Sequence, residues 1–313
     1  MVALTSGDGS QKESLLTYVA QLRQRGVRVL LSLGGASSSF GTIDFAESFN
    51  HIQNGELSFD ETVTAFVSSI ENLLNKYHME GIDIDVEHGL SVAPGQDLKA
   101  AASVPRCKKA FSLTTGLAPS TGSVCAMVAV IEALVANNPD LIISLAPQTL
   151  NIAANNRVAG QTLNYASLLA HVRDHVSWVG VQVYNSGGMY GPSGVLQAIT
   201  AANQVNASVA MALNLMEPWS QQRPYRFLDN SAAMLRPDQI VLGFPASNGQ
   251  FSDGLPTANL AKIKQALNCL NTGARCGTLA TSMPRPGPIG GVFNWNVNFH
   301  RANHYDFARS LTG

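Results

Sequence analysis

Six short runs, each preceded by a stretch of helical periodicity, leave this chain very few architectures. They are VRVLLSLGG from Val27, GIDIDVE from Gly81, LIISLAP from Leu141, VGVQVYN from Val179, IVLGFPA from Ile240 and GGVFNWN from Gly290. The first is dense in branched residues and closed by glycines, which is how a strand buried on both faces reads. Before it, Ser10 and Glu13 form a capping box, Leu15, Leu16, Val19 and Leu22 recur at helical spacing, and Gly26 supplies a stop. Before the second, Ser58 pairs with Glu61 as a cap, and Val63, Phe66, Val67, Ile70, Leu73, Leu74 and Tyr77 make one stripe. Such alternation specifies an α/β fold, with parallel strands joined by right-handed crossovers. The number and length of the units predict a (β/α)8 TIM barrel rather than a doubly wound sheet, and no GxGxxG fingerprint follows the first strand.

At 313 residues the chain fits one large domain, 1–313, since barrels of this kind often reach about 250 residues. Only six strands are readable, and MVALTS upstream of Ser10 can hold no more than the tail of another. The expectation is therefore a barrel lacking its first one or two strands, in a domain truncated at its N-terminus.

Composition removes several function classes. With 45% hydrophobic and 13% charged residues and a net charge of -1, the chain carries no electrostatic footprint for nucleic acid. No apolar run approaches the roughly 18 to 20 residues that span a bilayer, so no membrane partner is expected. MVALTSGDGSQKES also lacks the basic and apolar regions of a signal peptide. Cys107, Cys125, Cys269 and Cys276 show neither CxxC spacing nor histidines in ligand register, so neither a zinc site nor any other metal or cofactor is expected. Two local disulfides fit an oxidising compartment, with Cys269 and Cys276 spaced as a loop staple; free buried thiols are the alternative.

The chemistry concentrates in Glu80-Gly81-Ile82-Asp83-Ile84-Asp85-Val86-Glu87. Strand side chains alternate faces, and residues two apart lie roughly 6.5 to 7 Å along one face. Asp83, Asp85 and Glu87 therefore point one way, while Ile82, Ile84 and Val86 point toward covering helices, placing the acids in the barrel interior. Three carboxylates on one sequestered line cannot all ionise cheaply, so at least one should keep its proton. That arrangement raises a carboxyl toward neutrality and makes a general acid of Glu87, nearest the C-terminal end of the strand. An exposed edge strand conflicts with the flanking isoleucines. A magnesium or calcium site would need ligands from several loops, and no second acidic cluster stands at a strand end.

These residues resemble the DGxDxDxE signature of glycoside hydrolase family 18, with Glu80 in place of the first Asp. The family's SxGG signature stands upstream as Ser32-Leu33-Gly34-Gly35, and the likeness extends to Gln182, Tyr184 and Asn185 and to Trp295, over essentially the whole chain. The resemblance implies a chitinase that degrades chitin or chitooligosaccharides with retention, the sugar's own acetamido oxygen attacking the anomeric carbon. Glu87 would protonate the glycosidic oxygen and then act as base on water. Asp85 would bond the acetamido N–H and share a proton with Asp83, and Tyr184 would donate to the acetamido oxygen. Gln182, Asn185, Ser32 and Gly34 are expected around the substrate, Trp295 as an apolar floor under the sugar, and Trp219 at an outer subsite. Trp178, at the start of a strand, reads as core or bottom face. Too few residues separate the last two strand patterns to hold the insertion domain of some relatives, which implies an open cleft of the bacterial and plant type and endo action. The expected enzyme is a secreted monomer, because polymeric chitin cannot enter a cell. Two alternatives stay open: an endo-β-N-acetylglucosaminidase acting on N-glycans, and a catalytically silent, lectin-like chitin binder.

Overall fold

The computed structural model describes residues 9–35, 57–87, 90, 123–152, 165–191, 195–216, 235–246, 259–279, 288–302 and 304–312. MVALTS, Cys107, Trp219 and the side chains of the Ser10–Glu13 box lie outside the described part. The chain divides into two compact units, Met1–Ser144 with Gly160–Ser177, and Leu145–Ala159 with Trp178–Gly313.

In the first unit the order is α1 (Gly9–Gln24), β1 (Leu30–Gly35), α2 (Phe59–Tyr77), β2 (Gly81–Val86), α3 (Ser123–Asn137), β3 (Ile142–Leu145, its last residue counted with the second unit) and α4 (Tyr165–Val172). The α2 cap is as read from the sequence: the Glu61 N–H donates to Ser58 Oγ at 3.2 Å and the Ser58 N–H to Glu61 Oε2 at 2.8 Å. Val63, Phe66, Val67, Ile70, Leu74 and Tyr77 are buried along its stripe, and Leu73 is half-buried at the margin. The apolar helix α3 is buried on every side from Ser123 to Ile131, as its lack of a polar face demands.

Strands β1 and β2 pair in parallel, with Ser32 opposite Asp83 and Gly34 opposite Asp85. At the start of β2 the Glu80 carboxylate accepts the Val29 N–H at 2.8 Å and pairs with Arg23 at 3.3 Å and Arg28 at 3.7 Å. The arginines are solvent-exposed, so the ion pairs contribute little. The Val29 N–H bond to the Glu80 carboxylate adds to the parallel ladder between β1 and β2 at its start.

The second unit holds a helical turn, Thr149–Ile152, then β4 (Trp178–Gln182), β5 (Gly188–Tyr190), β6 (Leu196–Ala198), α5 (Gln204–Met216), β7 (Ile240–Pro245), α6 (Leu260–Thr272), β8 (Gly291–Trp295), α7 (Val297–Ala302) and α8 (Asp306–Thr312). Strands β4, β7 and β8 pair in parallel. Trp178, expected in the core or at the bottom face, is half-buried at the start of β4. A Cβ at Gly180 would press on the Phe293 ring at 3.1 Å and one at Gly243 would overlap it, so the two glycines make room for one large side chain from β8. The β5–β6 hairpin is antiparallel and was not anticipated, because three-residue strands carry too few alternating positions to be read. The fourth strand also ends earlier than the run VGVQVYN suggested: it stops at Gln182, leaving Tyr184 and Asn185 beyond it. Asn185 adopts φ 49°, a left-handed conformation that turns the chain out of the sheet.

Cys269 in the last turn of α6 is disulfide-bonded to Cys276, closing a short loop through Gly273 at φ 76°. By loop-closure entropy such a staple stabilises by about 2.5 kcal/mol. Cys125 is also disulfide-bonded.

Candidate active site

Along β2 the faces alternate as strand geometry requires. Ile82 and Ile84 are completely buried and Val86 nearly so, while on the opposite face Asp83 is half-buried and Asp85 is 8% exposed. Glu87 follows the last strand residue, Val86, and is half-buried at the strand's C-terminal end.

The Ser144 hydroxyl, from the neighbouring strand β3, donates to Asp83 Oδ1 at 2.5 Å. Burial pushes the Asp83 carboxyl above its ordinary range, and the Ser144 bond opposes that rise without cancelling it. The group's folded-state pKa therefore lies above its unfolded value, so the stability it contributes is full below the unfolded pKa and is lost as pH rises through the folded one. We expect the Asp83 contribution to stability to decline as pH rises from about 3.8 through that window, so that the Tm of wild type falls relative to that of Asp83→Asn as pH rises. Thermal melts of both proteins across this range check the prediction; parallel curves would contradict it.

From the other side, Gly34 of β1 backs directly on the ladder. Its φ is +104°, and a Cβ there would overlap the Asp85 carbonyl and Val86 Cα. Ser32, opposite Asp83, is exposed.

The remaining sequence candidates lie in the second unit. Gln182, buried at the end of β4, donates through Nε2 to the Ala146 carbonyl at 2.8 Å. Tyr184 is buried with its ring edge-on to Phe293, centroids 6.5 Å apart. The turn beneath it is held by the Ser186 hydroxyl, 2.7 Å from the Gln182 carbonyl and 2.8 Å from the Tyr184 carbonyl, and by Thr149, which donates to the Ser186 carbonyl at 2.7 Å. Asn185 is exposed. Trp295 ends β8 with 44% of its surface exposed, its carbonyl accepting the Ala246 N–H at 2.8 Å and its peptide bond to Asn296 cis. Next to it, the Asn294 amide lies 3.4 Å from His300 Nδ1, and His300 Nε2 accepts the Ala308 N–H at 3.2 Å. An exposed indole on a fixed strand end offers a flat apolar face of the kind sugar rings pack against.

Two residues of the first unit's group escaped the sequence reading. Ser144 carried a usable signal, being a hydroxyl in the middle of the apolar run LIISLAP. Tyr165 carried none: it opens a helix far along the chain, yet its hydroxyl lies 3.1 Å from the Ile84 carbonyl and 2.9 Å from that of Val86. Among the described residues no group of three His, Cys, Asp or Glu is placed to hold a metal ion.

The chain is similar to known proteins over nearly its whole length. The family model for Glycosyl hydrolases family 18 matches residues 3–302. The chain is 25% identical over 308 residues to a probable class II chitinase of Arthroderma benhamiae, covering 95% of this chain and 79% of that protein. It is 25% identical over 303 residues to Chitinase D of Niallia circulans, covering 95% of this chain and 50% of that protein. It also spans about half of Chitinase Chi52 of Paenibacillus xylanexedens. Among solved structures, the C-terminal domain of Legionella pneumophila ChiA superposes with a TM-score of 0.75 at 32% identity, covering 95% of this chain and 82% of that one. A family GH18 chitinase from Chromobacterium violaceum gives a TM-score of 0.65 at 25% identity, covering 96% and 68%.

Proposed function

Because the chain belongs to glycosyl hydrolases family 18, whose solved relatives are (β/α)8 barrels, we propose that it is a chitinase that hydrolyses β-1,4-linked N-acetylglucosamine polymers. The observation that carries this reading is the β2 ladder: a half-buried Asp83 whose carboxyl burial pushes above its ordinary range, a buried Asp85, and Glu87 just past the strand end.

Glu87 protonates the leaving glycosidic oxygen while the substrate's acetamido oxygen closes on the anomeric carbon. Asp85 stabilises the positive oxazolinium intermediate by accepting from the acetamido N–H, with a proton shared along the ladder to Asp83. Tyr184 donates to the acetamido oxygen, and Gln182, Asn185 and Ser32 supply polar contacts around the sugar. Trp295 supports the ring at the cleavage point. Glu87 then takes a proton from water, which opens the oxazolinium with net retention. No cofactor or metal enters any step. The enzyme cuts within chains, acts as a monomer and is secreted, since an insoluble polymer must be met outside the cell.

We expect colloidal chitin and chitooligosaccharides to be cleaved and a high-mannose glycoprotein to be left intact, with the β-anomer of the new reducing end appearing first in proton NMR. Release of glycan in preference to chitin would instead support an endo-β-N-acetylglucosaminidase. The α-anomer appearing first would contradict the acetamido mechanism.

A further inference from the structure

We propose that Tyr165 is a positioning residue for Asp85 and Glu87, its hydroxyl holding the two peptide planes that lead into these carboxylates. The inference rests on the proposed reaction at this same ladder and extends it to a side chain from a different element.

The Ile84 carbonyl belongs to the peptide joining Ile84 to Asp85, and the Val86 carbonyl to the peptide joining Val86 to Glu87. The Tyr165 hydroxyl lies within hydrogen-bonding distance of both, at 3.1 and 2.9 Å. Rotation of either peptide would swing the following carboxylate off its line, and a small displacement of that kind is costly to a reaction that depends on alignment.

The placement has a backbone cause. Carbonyls of alternate strand residues point to the same edge, and the edge facing β3 begins where the Ile142 N–H donates to the Glu80 carbonyl at 3.1 Å. The carbonyls of Ile82, Ile84 and Val86 continue that edge, but β3 ends at Leu145. Tyr165 places its one hydroxyl proton between the last two carbonyls, shared by both, where β3 has ended. On the opposite edge Gly34 backs onto the Asp85 carbonyl. The strand end is thus held from both sides, by a glycine that permits close approach and by a phenol that bonds.

The phenol is suited to a fixed role. It is 1% exposed, and burial, followed by the charges of Asp85 and Asp83, pushes its ionisation well above the ordinary range, so it remains a donor.

The test is Tyr165→Phe, which removes one oxygen and keeps the ring. Steady-state kinetics on a labelled chitooligosaccharide should show kcat reduced by about 10- to 100-fold, with KM changed by less than about 2-fold, the pattern of a contact that matters only in the transition state. Ile70→Val, a core truncation on α2, serves as the control: it should lower Tm with kcat intact. Should the Phe variant unfold at assay temperature, kcat is measured in trimethylamine N-oxide, which favours the folded state; a reduced kcat in refolded protein supports the proposal. An unchanged kcat in folded Tyr165→Phe overturns it and leaves the chitinase reading standing. A wild-type protein that cleaves no chitooligosaccharide overturns that reading, and the positioning role with it.

Discussion

Glu87→Gln should lower the rate of chitooligosaccharide hydrolysis by about 1,000-fold, the middle of the range for loss of a general acid, while leaving both the fold and substrate binding almost unchanged. Gln keeps the size and much of the hydrogen bonding of Glu but has no proton to deliver to the departing oxygen and no anionic form to accept one from water. The position is half-buried and lies one residue beyond β2, so the substitution opens no cavity and breaks no ladder bond. Its effect on stability should stay within about 0.5 kcal/mol. Initial rates measure the loss of turnover, and calorimetric titration with chitooligosaccharide measures the retained affinity. Turnover within tenfold of wild type would remove Glu87 from the role of acid. Absent turnover in both proteins with intact binding would favour a lectin-like chitin binder.

Gly34→Ala is expected to be strongly damaging, with a loss of about 2–5 kcal/mol from the combined cost of a forced left-handed residue and of overpacking. The new methyl would overlap the carbonyl of Asp85 and Val86 Cα, and backbone in a parallel ladder cannot swing aside as a flexible side chain does. The two strands would have to part at the residue that carries the buried acid. Activity should therefore fall beyond what the stability loss explains, and Tm should drop by about 10 °C. Gly26→Ala separates the two causes: Gly26 also has positive φ, +75°, but nothing lies within 4 Å of the site of its Cβ. There only backbone strain acts, at about 1 kcal/mol. Equal melting losses in the two variants would show that contact with Asp85 is unimportant.

The two residues illustrate different kinds of legibility. Glu87 could be found in a single line of sequence because strand alternation and the flanking isoleucines define a face without reference to anything else. Gly34 was recognisable as part of a motif, but its steric contact with Asp85 became visible only when β1 and β2 were placed in register. Ser144 lies between these cases: a lone hydroxyl in an apolar strand is conspicuous, yet its partner Asp83 is 61 residues away. Tyr165 was out of reach, since no periodic pattern links a helix-opening tyrosine to carbonyls about 80 positions earlier.

For the same reason, elements were read better than their ends. The Ser58–Glu61 cap, the buried stripe of α2 and the six strands follow from interactions within a few residues, and the structure has all of them. The end of β4 at Gln182 depends on Ser186 and Thr149 turning the chain, and the β5–β6 hairpin on pairing between two three-residue segments. By itself the sequence determined the α/β alternation, the family signatures and the acidic face of β2, because each arises from local spacing along one strand or helix. Tertiary structure decided how strongly each acid is buried, which one is held by Ser144, and how Gly34 and Tyr165 fix the strand end that presents Glu87. Those properties belong to contacts between segments distant in sequence, and desolvation, close approach and hydrogen bonding take their values only once such segments meet.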